Sequence, residues 1–320
     1  MILEIPSGDE YERSSVSLLN LSWNTAATLT RNLEAVNLRE WDDDARTQAQ
    51  YWERVQVDLG NAYTLVEQAQ EFGLKGLIAE VSPYLLIRAD VRDWPRQCDR
   101  RNVDFSEFYT VDANDLIKLH DTVAPSRLDP AFVRLFNEVR RKRNAIVHGV
   151  RKSAELRPKD IFKHVLETFH FLHPSKSWFH QRLSYYCDDP LSLAYSEDLS
   201  RDLIIEEFSW LTKLLGRKEC RDHLNFNKGQ RAYLCPECSS ETSEKRNLAY
   251  TAQLQPNDPE STLVRCSICL EEKKVIRQRC PSPACKGNVI AGDYYTNEPA
   301  QCLSCGNEIP GDWQLLKKLR

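Results

Sequence analysis

Residues 52–69 read WERVQVDLGNAYTLVEQA, and this stretch decides the fold. Its apolar residues follow one another at steps of three and four: Trp52, Val55, Leu59, Ala62, Val66 and Ala69. This spacing places them along one face of an α-helix, because the helix completes a turn every 3.6 residues. The stretch therefore predicts a helix whose apolar face packs against other elements.

The flanking sequence repeats this helical spacing from about residue 10 to residue 217. A first helix is expected over residues 14–38, and the acidic residues of WDDDA, 41–45, are expected to provide caps between the two helices. A short helix is expected after Asp112, which is a favoured N-cap residue. No strand alternation is evident in this region. The predicted fold class is therefore mainly α, with an all-α bundle over residues 1–217.

Three further helices complete the predicted bundle. Asp129 followed by Pro130 is typical of an N-cap with proline at the first helical position, and that helix is expected to end at Gly149. Another is expected over residues 158–173, where Pro174 would stop it. The third is expected over residues 196–215, before a polar connector that begins near residue 218.

Length and charge limit the possible functions. The chain has 320 residues and a net charge of −4, so it is long enough for two domains and has no overall attraction for a polyanion. Nucleic-acid binding would therefore need a local basic patch. No run of 18 apolar residues occurs, and the N-terminal sequence MILEIPSGDEYERSS lacks the pattern of a signal peptide. We expect a soluble, cytoplasmic protein without a membrane partner.

Eight of the eleven cysteines follow residue 234 and form four close pairs. The paired residues are Cys235 and Cys238, Cys266 and Cys269, Cys280 and Cys285, and Cys302 and Cys305. A C-x2-C turn places two thiolates on one side of a tight loop, and two such turns complete a tetrahedral site for Zn²⁺. Taken in sequence order, the pairs predict two structural zinc ions. The spacing resembles that of tandem zinc ribbons over residues 230–310 and implies a small β-rich domain over residues 218–320.

Other groupings of these ligands are also compatible with the sequence. A cross-braced arrangement would join the first pair with the third and the second with the fourth, and Cys220 with His223 could complete a site with the first pair. An iron–sulfur cluster or redox-active thiols would use the same residues. Five basic residues nearby can supply phosphate contacts, although a run of charge is usually a solvated face: Lys273, Lys274, Arg277, Arg279 and Lys286.

The stretch RKRNAIVHG, residues 141–149, carries the second candidate site. Arg143 is four residues from Val139, so it borders the apolar face of its helix and needs an anionic or hydrogen-bonding partner. Asn144 and His148 are i,i+4 neighbours on one face. A titrating imidazole beside a fixed cation is suited to cleaving a phosphodiester, because one moves a proton and the other stabilises the phosphorane.

The spacing alone is weak evidence for such a site. A basic residue five positions before a histidine arises about once by chance in a chain of this composition, as at Lys218 and His223.

RNAIVH resembles the R-x4–6-H motif of the HEPN (higher eukaryotes and prokaryotes nucleotide-binding) superfamily. Residues 62–80, AYTLVEQAQEFGLKGLIAE, are similar to the long second helix of that family, and residues 112–123, DANDLIKLHDTV, to its short helix before the motif helix. The resemblance covers about residues 10–180. It implies a four- to five-helix bundle that forms a homodimer with the two motifs facing each other.

The resemblance also implies an activity. Many members are metal-independent endoribonucleases that leave a 2′,3′-cyclic phosphate, often in toxin–antitoxin or antiviral systems. By this resemblance Arg143 and His148 would be catalytic with Asn144 in support, and Arg140, Arg141 and Lys142 would hold the phosphates of an RNA substrate. A protein inhibitor or activator is a further expected partner.

Two alternatives remain at this stage. Some members of the superfamily do not catalyse, so the chain can instead be a dimerisation adaptor that presents its zinc ribbons to nucleic acid or protein. His170 and His173 are i,i+3 on a predicted helix and are a second candidate metal site, although such residues more often fill a helix face. Glu67 and Glu71 with Lys75 are interpreted as surface pairs.

Overall fold

The computed structural model describes residues 1–37, 45–148, 155–188, 197–240, 249–292 and 300–309. The fold is mainly helical, as predicted, with small sheets near the C-terminus. The chain divides into two compact units, Met1–Ser175 and Lys176–Arg320. Within the described ranges, no helix has the length and apolar character needed to cross a bilayer.

The first unit is built around one central helix. Its helices are α1 (Gly8–Asn37), α2 (Ala45–Arg54), α3 (Gln56–Val81), α4 (Ala113–Val123), α5 (Pro130–His148) and α6 (Pro158–Leu172). Helix α3 contacts α1, α4, α5 and α6. Leu59, Ala62 and Val66 are at most 1% exposed, which confirms the predicted apolar face. The predicted continuous run is interrupted at Val55, which separates α2 from α3, so Trp52 belongs to α2.

Small residues let α1 approach α3 closely. A side chain at Gly76 would lie 3.2 Å from the carbonyl oxygen of Gly8, so larger residues would push the helices apart. The hydroxyl of Ser15 donates to the carbonyl of Ala69 at 2.7 Å, and these contacts join the two helices in their buried interface.

The predicted helix starts are confirmed at α4 and α5. Asp112 is the N-cap of α4, and Asp129 Oδ1 accepts from the amide of Ala131 at 2.7 Å at the start of α5. Between α3 and α4 the chain forms 3-10 turns and the strand β2 (Val103–Asp104), which pairs in parallel with β1 (Ile2–Leu3). The expectation of no strand before residue 217 is wrong at this point, because a two-residue strand is too short to show alternation. The WDDDA caps and the glycine stop at Gly149 lie outside the described residues.

The second unit starts with helices and ends in two small antiparallel sheets. The helices are α7 (Trp178–Asp188), α8 (Glu197–Leu214), α9 (Arg217–Leu224) and α10 (Pro236–Ser240). The first sheet is β3 (Ala252–Leu254), β4 (Leu263–Cys266) and β5 (Glu272–Lys274). The second is β6 (Ile276–Arg277), β7 (Val289–Ala291), β8 (Ala300–Cys302) and β9 (Glu308–Ile309). The strands predicted within 261–280 are therefore present.

The domain boundary predicted at residues 217/218 falls at the start of α9, inside the second unit. Phe208 of α8 makes edge-on ring contacts with Phe179 of α7 at 5.3 Å and with Phe226 at 5.2 Å. These contacts join α7 and α8 to the segment that leads into the cysteine-rich region. The predicted polar connector is in part a helix, since Cys220 and Leu224 bury one side of α9.

A buried ion pair lies between α7 and α8. Arg182 Nη2 is 2.8 Å from Glu207 Oε1, and the two side chains are 0% and 1% exposed. The hydroxyl of Tyr186 donates to the same carboxylate oxygen at 2.8 Å. Burial disfavours the charged guanidinium, but the facing Glu207 carboxylate outweighs this effect and raises the pKa of Arg182.

Candidate functional site

The first cysteine cluster joins α10 to the end of β4. Cys235 directly precedes α10 and Cys238 lies within it. Cys266 ends β4, just before the turn that holds Cys269. The Sγ atoms of Cys235 and Cys269 are 3.7 Å apart, and those of Cys238 and Cys266 are 3.8 Å apart. All four Sγ atoms lie within 4.8 Å of one another.

The second cluster has the same dimensions. The Sγ distances are 3.9 Å between Cys280 and Cys305 and 3.9 Å between Cys285 and Cys302. A disulfide would need about 2.05 Å. Four thiolates at about 2.3 Å from a central ion have edges of about 3.8 Å. Both clusters therefore fit a tetrahedrally bound metal ion, and together they can hold two.

Local structure orients the sulfur atoms toward one point. The amide of Ile268 donates to Cys266 Sγ at 3.3 Å, and the amide of Gly287 donates to Cys285 Sγ at 3.3 Å. The turn after Cys305 places Gly306 at a φ of 77°, a conformation that favours glycine.

The structure has the sequential grouping of the ligands and not the cross-braced one. Cys220 belongs to neither cluster. Its Sγ is 3.9 Å from the carbonyl oxygen of Leu215, and burial raises the pKa of its thiol. In the part of the chain that the structure describes, the two four-cysteine clusters are the only groups of three or more ligand side chains close enough to share an ion, and His170 and His173 belong to no such group.

Arg143 on α5 lies beside Glu67 of α3, an acidic residue that the sequence predicted to be on the surface. Arg143 Nη2 lies 3.4 Å from Glu67 Oε2 on α3, and Arg143 Nη1 donates to Asn144 Oδ1 at 3.0 Å. Arg143 therefore has partners of the expected kinds, an acidic side chain and a hydrogen-bond acceptor. The interpretation of Glu67 as a surface residue is wrong, because α5 covers this face of α3 and leaves Glu67 3% exposed. Glu71 and Lys75 do form the predicted pair, at 2.7 Å.

The Glu67 carboxyl lies in an environment that opposes its ionisation. Burial raises its pKa, the guanidinium groups of Arg143 and Arg140 lower it, and the nearby Glu71 raises it further. The net effect is a raised pKa. The Arg143 side chain is 29% exposed, so its inner side contacts a buried acid while part of it reaches the surface.

Beyond Arg143, further polar side chains lie where α3 packs against α5 and α6. Lys142 Nζ lies 5.2 Å from the centre of the Tyr63 ring and 4.0 Å from Asp160 Oδ1. His164 of α6 packs edge-on against Tyr63 at 5.4 Å and is 4% exposed. The only simple sign of this cluster in the sequence is that Tyr63 and Glu67 are four residues apart on α3.

The residues predicted to hold RNA phosphates differ in their exposure. Arg141 is exposed, whereas Arg140 and Lys142 are half-buried and Lys142 faces Tyr63. Asn144 is exposed, one residue after Arg143. His148 is the last residue of α5, and its side chain lies outside the described residues. The convergence of His148 with Arg143 therefore stays a prediction.

We expect the stability of the first unit to fall between pH 6.5 and pH 4 because of His164. Burial, with Lys142 nearby, lowers the pKa of His164 from 6.5 to about 4. Between these two pH values the imidazole of His164 is therefore protonated in the unfolded chain and neutral in the folded chain. The neutral imidazole of His164 contributes about 3 kcal/mol to the free energy of unfolding above pH 6.5. This contribution is lost as the pH falls toward 4. Urea titrations across this range measure it. The fall should shrink in His164→Gln, and equal falls in both proteins would contradict the assignment.

Comparison with protein-family models, with curated proteins and with solved structures found no match to the chain. Its own fold and sites define its class. It is a mainly helical protein whose C-terminal region carries two four-cysteine clusters that can bind metal ions.

Proposed function

We propose that the protein is a metal-independent endoribonuclease of the HEPN type. The observation that supports this best is the setting of Arg143, whose guanidinium lies 3.4 Å from buried Glu67 and is still partly exposed. An arginine whose side chain already contacts a neighbouring acid can bind a phosphate with little further loss of side-chain freedom. Exposed Asn144 accepts from the same guanidinium, and His148 follows one turn later on α5.

In the proposed reaction, the 2′-hydroxyl of RNA attacks the adjacent phosphorus. His148 removes the proton of the 2′-hydroxyl as the new P–O2′ bond forms, and Arg143 stabilises the charge on the phosphorane. The P–O5′ bond then breaks and O5′ takes up a proton, which gives a 2′,3′-cyclic phosphate and a 5′-hydroxyl. Two protons are transferred, so we propose a homodimer in which His148 of a second copy protonates the leaving oxygen.

We propose that both four-cysteine clusters hold Zn²⁺ and serve structure. Four thiolates and a tetrahedral spacing are the preferred setting of structural zinc, and four protein ligands leave no open position for a substrate. The eight thiols need a reducing compartment, which favours the cytoplasm. Regulated RNA cleavage in toxin–antitoxin or antiviral defence, with a protein inhibitor or activator, is the setting we propose.

The test incubates the purified full-length chain with end-labelled RNA. Arg143→Ala and His148→Ala are each expected to slow cleavage by about 10²–10³-fold, because each removes one group that stabilises the transition state. Lys218→Ala and His223→Ala are matched controls with the same spacing on α9, and they should cleave like wild type. The product should resist phosphatase until acid opens a cyclic phosphate.

A non-catalytic adaptor is the second candidate, and one observation favours it. Arg143 is paired with buried Glu67, which a purely structural arginine would also be. Intact RNA in every sample, from protein that is folded and dimeric by light scattering, would support the adaptor and reject the nuclease. Cleavage that the four variants do not change would reject Arg143 and His148 as catalytic residues.

A further inference from the structure

We propose that a basic surface beside the second four-cysteine cluster binds the phosphate backbone of single-stranded RNA. The basic surface consists of Lys274, Arg277, Arg279 and Lys286. The choice of RNA rests on the proposed function, whereas the preference for a phosphate backbone rests on the charges described below.

The segment from Lys273 to Gly292 has an unusual charge for this chain. It contains five lysine and arginine residues and no aspartate or glutamate, although the whole chain has a net charge of −4. The structure describes every residue of this segment. A local positive patch on an acidic protein is the electrostatic feature that attracts a polyanion.

Neighbouring cations in the same unit are neutralised, and those of the basic surface are not. Lys273 Nζ lies 2.5 Å from Glu237 Oε1, and Arg265 Nε lies 3.8 Å from Glu272 Oε1. No carboxylate among the described residues lies within 4.0 Å of Lys274, Arg277, Arg279 or Lys286. The charges of exposed Lys274, Arg279 and Lys286 are therefore available to a ligand, whereas the Nε and Nη1 atoms of Arg277 are buried.

The backbone brings Arg277, Arg279 and Lys286 to one region, and Lys274 precedes them at the end of β5. Arg277 on β6 is opposite Val289 on β7, and the amide of Cys280 donates to the carbonyl of Gly287 at 2.8 Å. Arg279 directly precedes the donor of this hydrogen bond, and Lys286 directly precedes its acceptor. Lys274, Arg279 and Lys286 are exposed, while Arg277 is half-buried.

The amount of charge favours an extended partner over a single small anion. Four thiolates with one divalent ion leave a charge of −2, which two cations would offset, and the basic surface has four. Residues 274–279 span roughly 16 Å if extended, at about 3.3 Å per residue. A phosphate backbone offers several negative charges over such a length, so it fits better than one isolated phosphate.

The test measures binding without cleavage. A fluorescent 20-nucleotide 2′-O-methyl RNA lacks the 2′-hydroxyl nucleophile, so the full-length wild-type chain with its metal can be titrated at several salt concentrations. The variant is the triple substitution Lys274→Glu, Arg279→Glu and Lys286→Glu, which spares half-buried Arg277. Each phosphate contact contributes about 0.7 to the salt slope, so we expect the slope to fall by about 2 and the affinity at 0.1 M salt to fall about 100-fold.

A matched control carries the same change in net charge. Arg92→Glu, Arg96→Glu and Arg100→Glu alter three exposed arginines of the first unit, and this variant should bind like wild type. Metal content and circular dichroism of both variants should match wild type. Equal loss in both triple variants, or no loss in either, would overturn the proposal.

Two competitors distinguish the nature of the partner. Single-stranded DNA of the same sequence should compete no better than the RNA, and poly-glutamate of the same charge should compete much less. Better competition by DNA or equal competition by poly-glutamate would overturn the assignment to RNA. Salt-dependent binding that the triple variant loses would stand even if the wild-type chain cleaves no RNA, so failure of the nuclease and failure of the basic surface give different results.

Discussion

Replacing Cys266 with serine is expected to reduce the bound metal from two ions per chain to one and to unfold the sheet β3–β5. Cys266 is 2% exposed and its Sγ lies 3.8 Å from that of Cys238. A structural Zn²⁺ contributes about 10–16 kcal/mol to the folding of small domains. Among the described residues, the buried apolar side chains on the strands of this sheet are Ala252, Leu254 and Val264, so little else can replace the metal.

Elemental analysis of the purified protein measures the stoichiometry, and circular dichroism measures the loss of structure. Cys220→Ser is the matched control, because Cys220 is also a buried free thiol and lies in neither cluster. It should keep two ions per chain. Two ions in Cys266→Ser, or loss of an ion in Cys220→Ser, would contradict the ligand assignment.

The second large effect is expected from Glu207→Gln, which should lower the free energy of unfolding of the second unit by about 3–5 kcal/mol. The substitution keeps the shape of the side chain but removes the negative charge that faces Arg182, whose side chain is 0% exposed. A buried guanidinium without a counter-charge is costly, since burial alone disfavours its charged form.

Urea denaturation followed by circular dichroism measures this loss. Asp222→Asn is the control, because it weakens an exposed pair with Arg221 at 3.7 Å and should change little. The double variant Arg182→Met with Glu207→Leu removes both charges and should recover much of the stability. A loss in the double variant as large as in Glu207→Gln would show that packing, and not the unpaired charge, is responsible.

The sequence predicted the elements that local rules govern. The caps at Asp112 and Asp129 and the apolar face of α3 follow from interactions within a few residues, and each is present. The paired cysteines also predicted their clusters, because metal geometry restricts which thiols can meet. The sequence order of the pairs favoured the sequential grouping, which the structure has, although the same residues also allowed the cross-braced one.

The features that the sequence did not predict depend on contacts between distant segments. Glu67 has the local spacing of a surface residue, and only the packing of α5 on α3 buries it against Arg143. Residues 217–224 have a polar composition, yet burial of Cys220 and Leu224 makes them a helix of the second unit. The division after residue 175 follows contacts such as that of Phe179 with Phe208, which composition does not reveal.

The strands β5 and β6 lie between the last ligand of the first cluster, Cys269, and the first ligand of the second, Cys280. With a metal ion bound in each cluster, this ten-residue span would be held at both ends by metal–sulfur bonds. Oxidation of either cluster, or competition for its ion by a stronger chelator, would detach one end and let Lys274 and Arg277 spread apart. If the basic surface binds RNA as proposed, metal supply and oxidative stress would thus change how tightly the protein binds this polyanion.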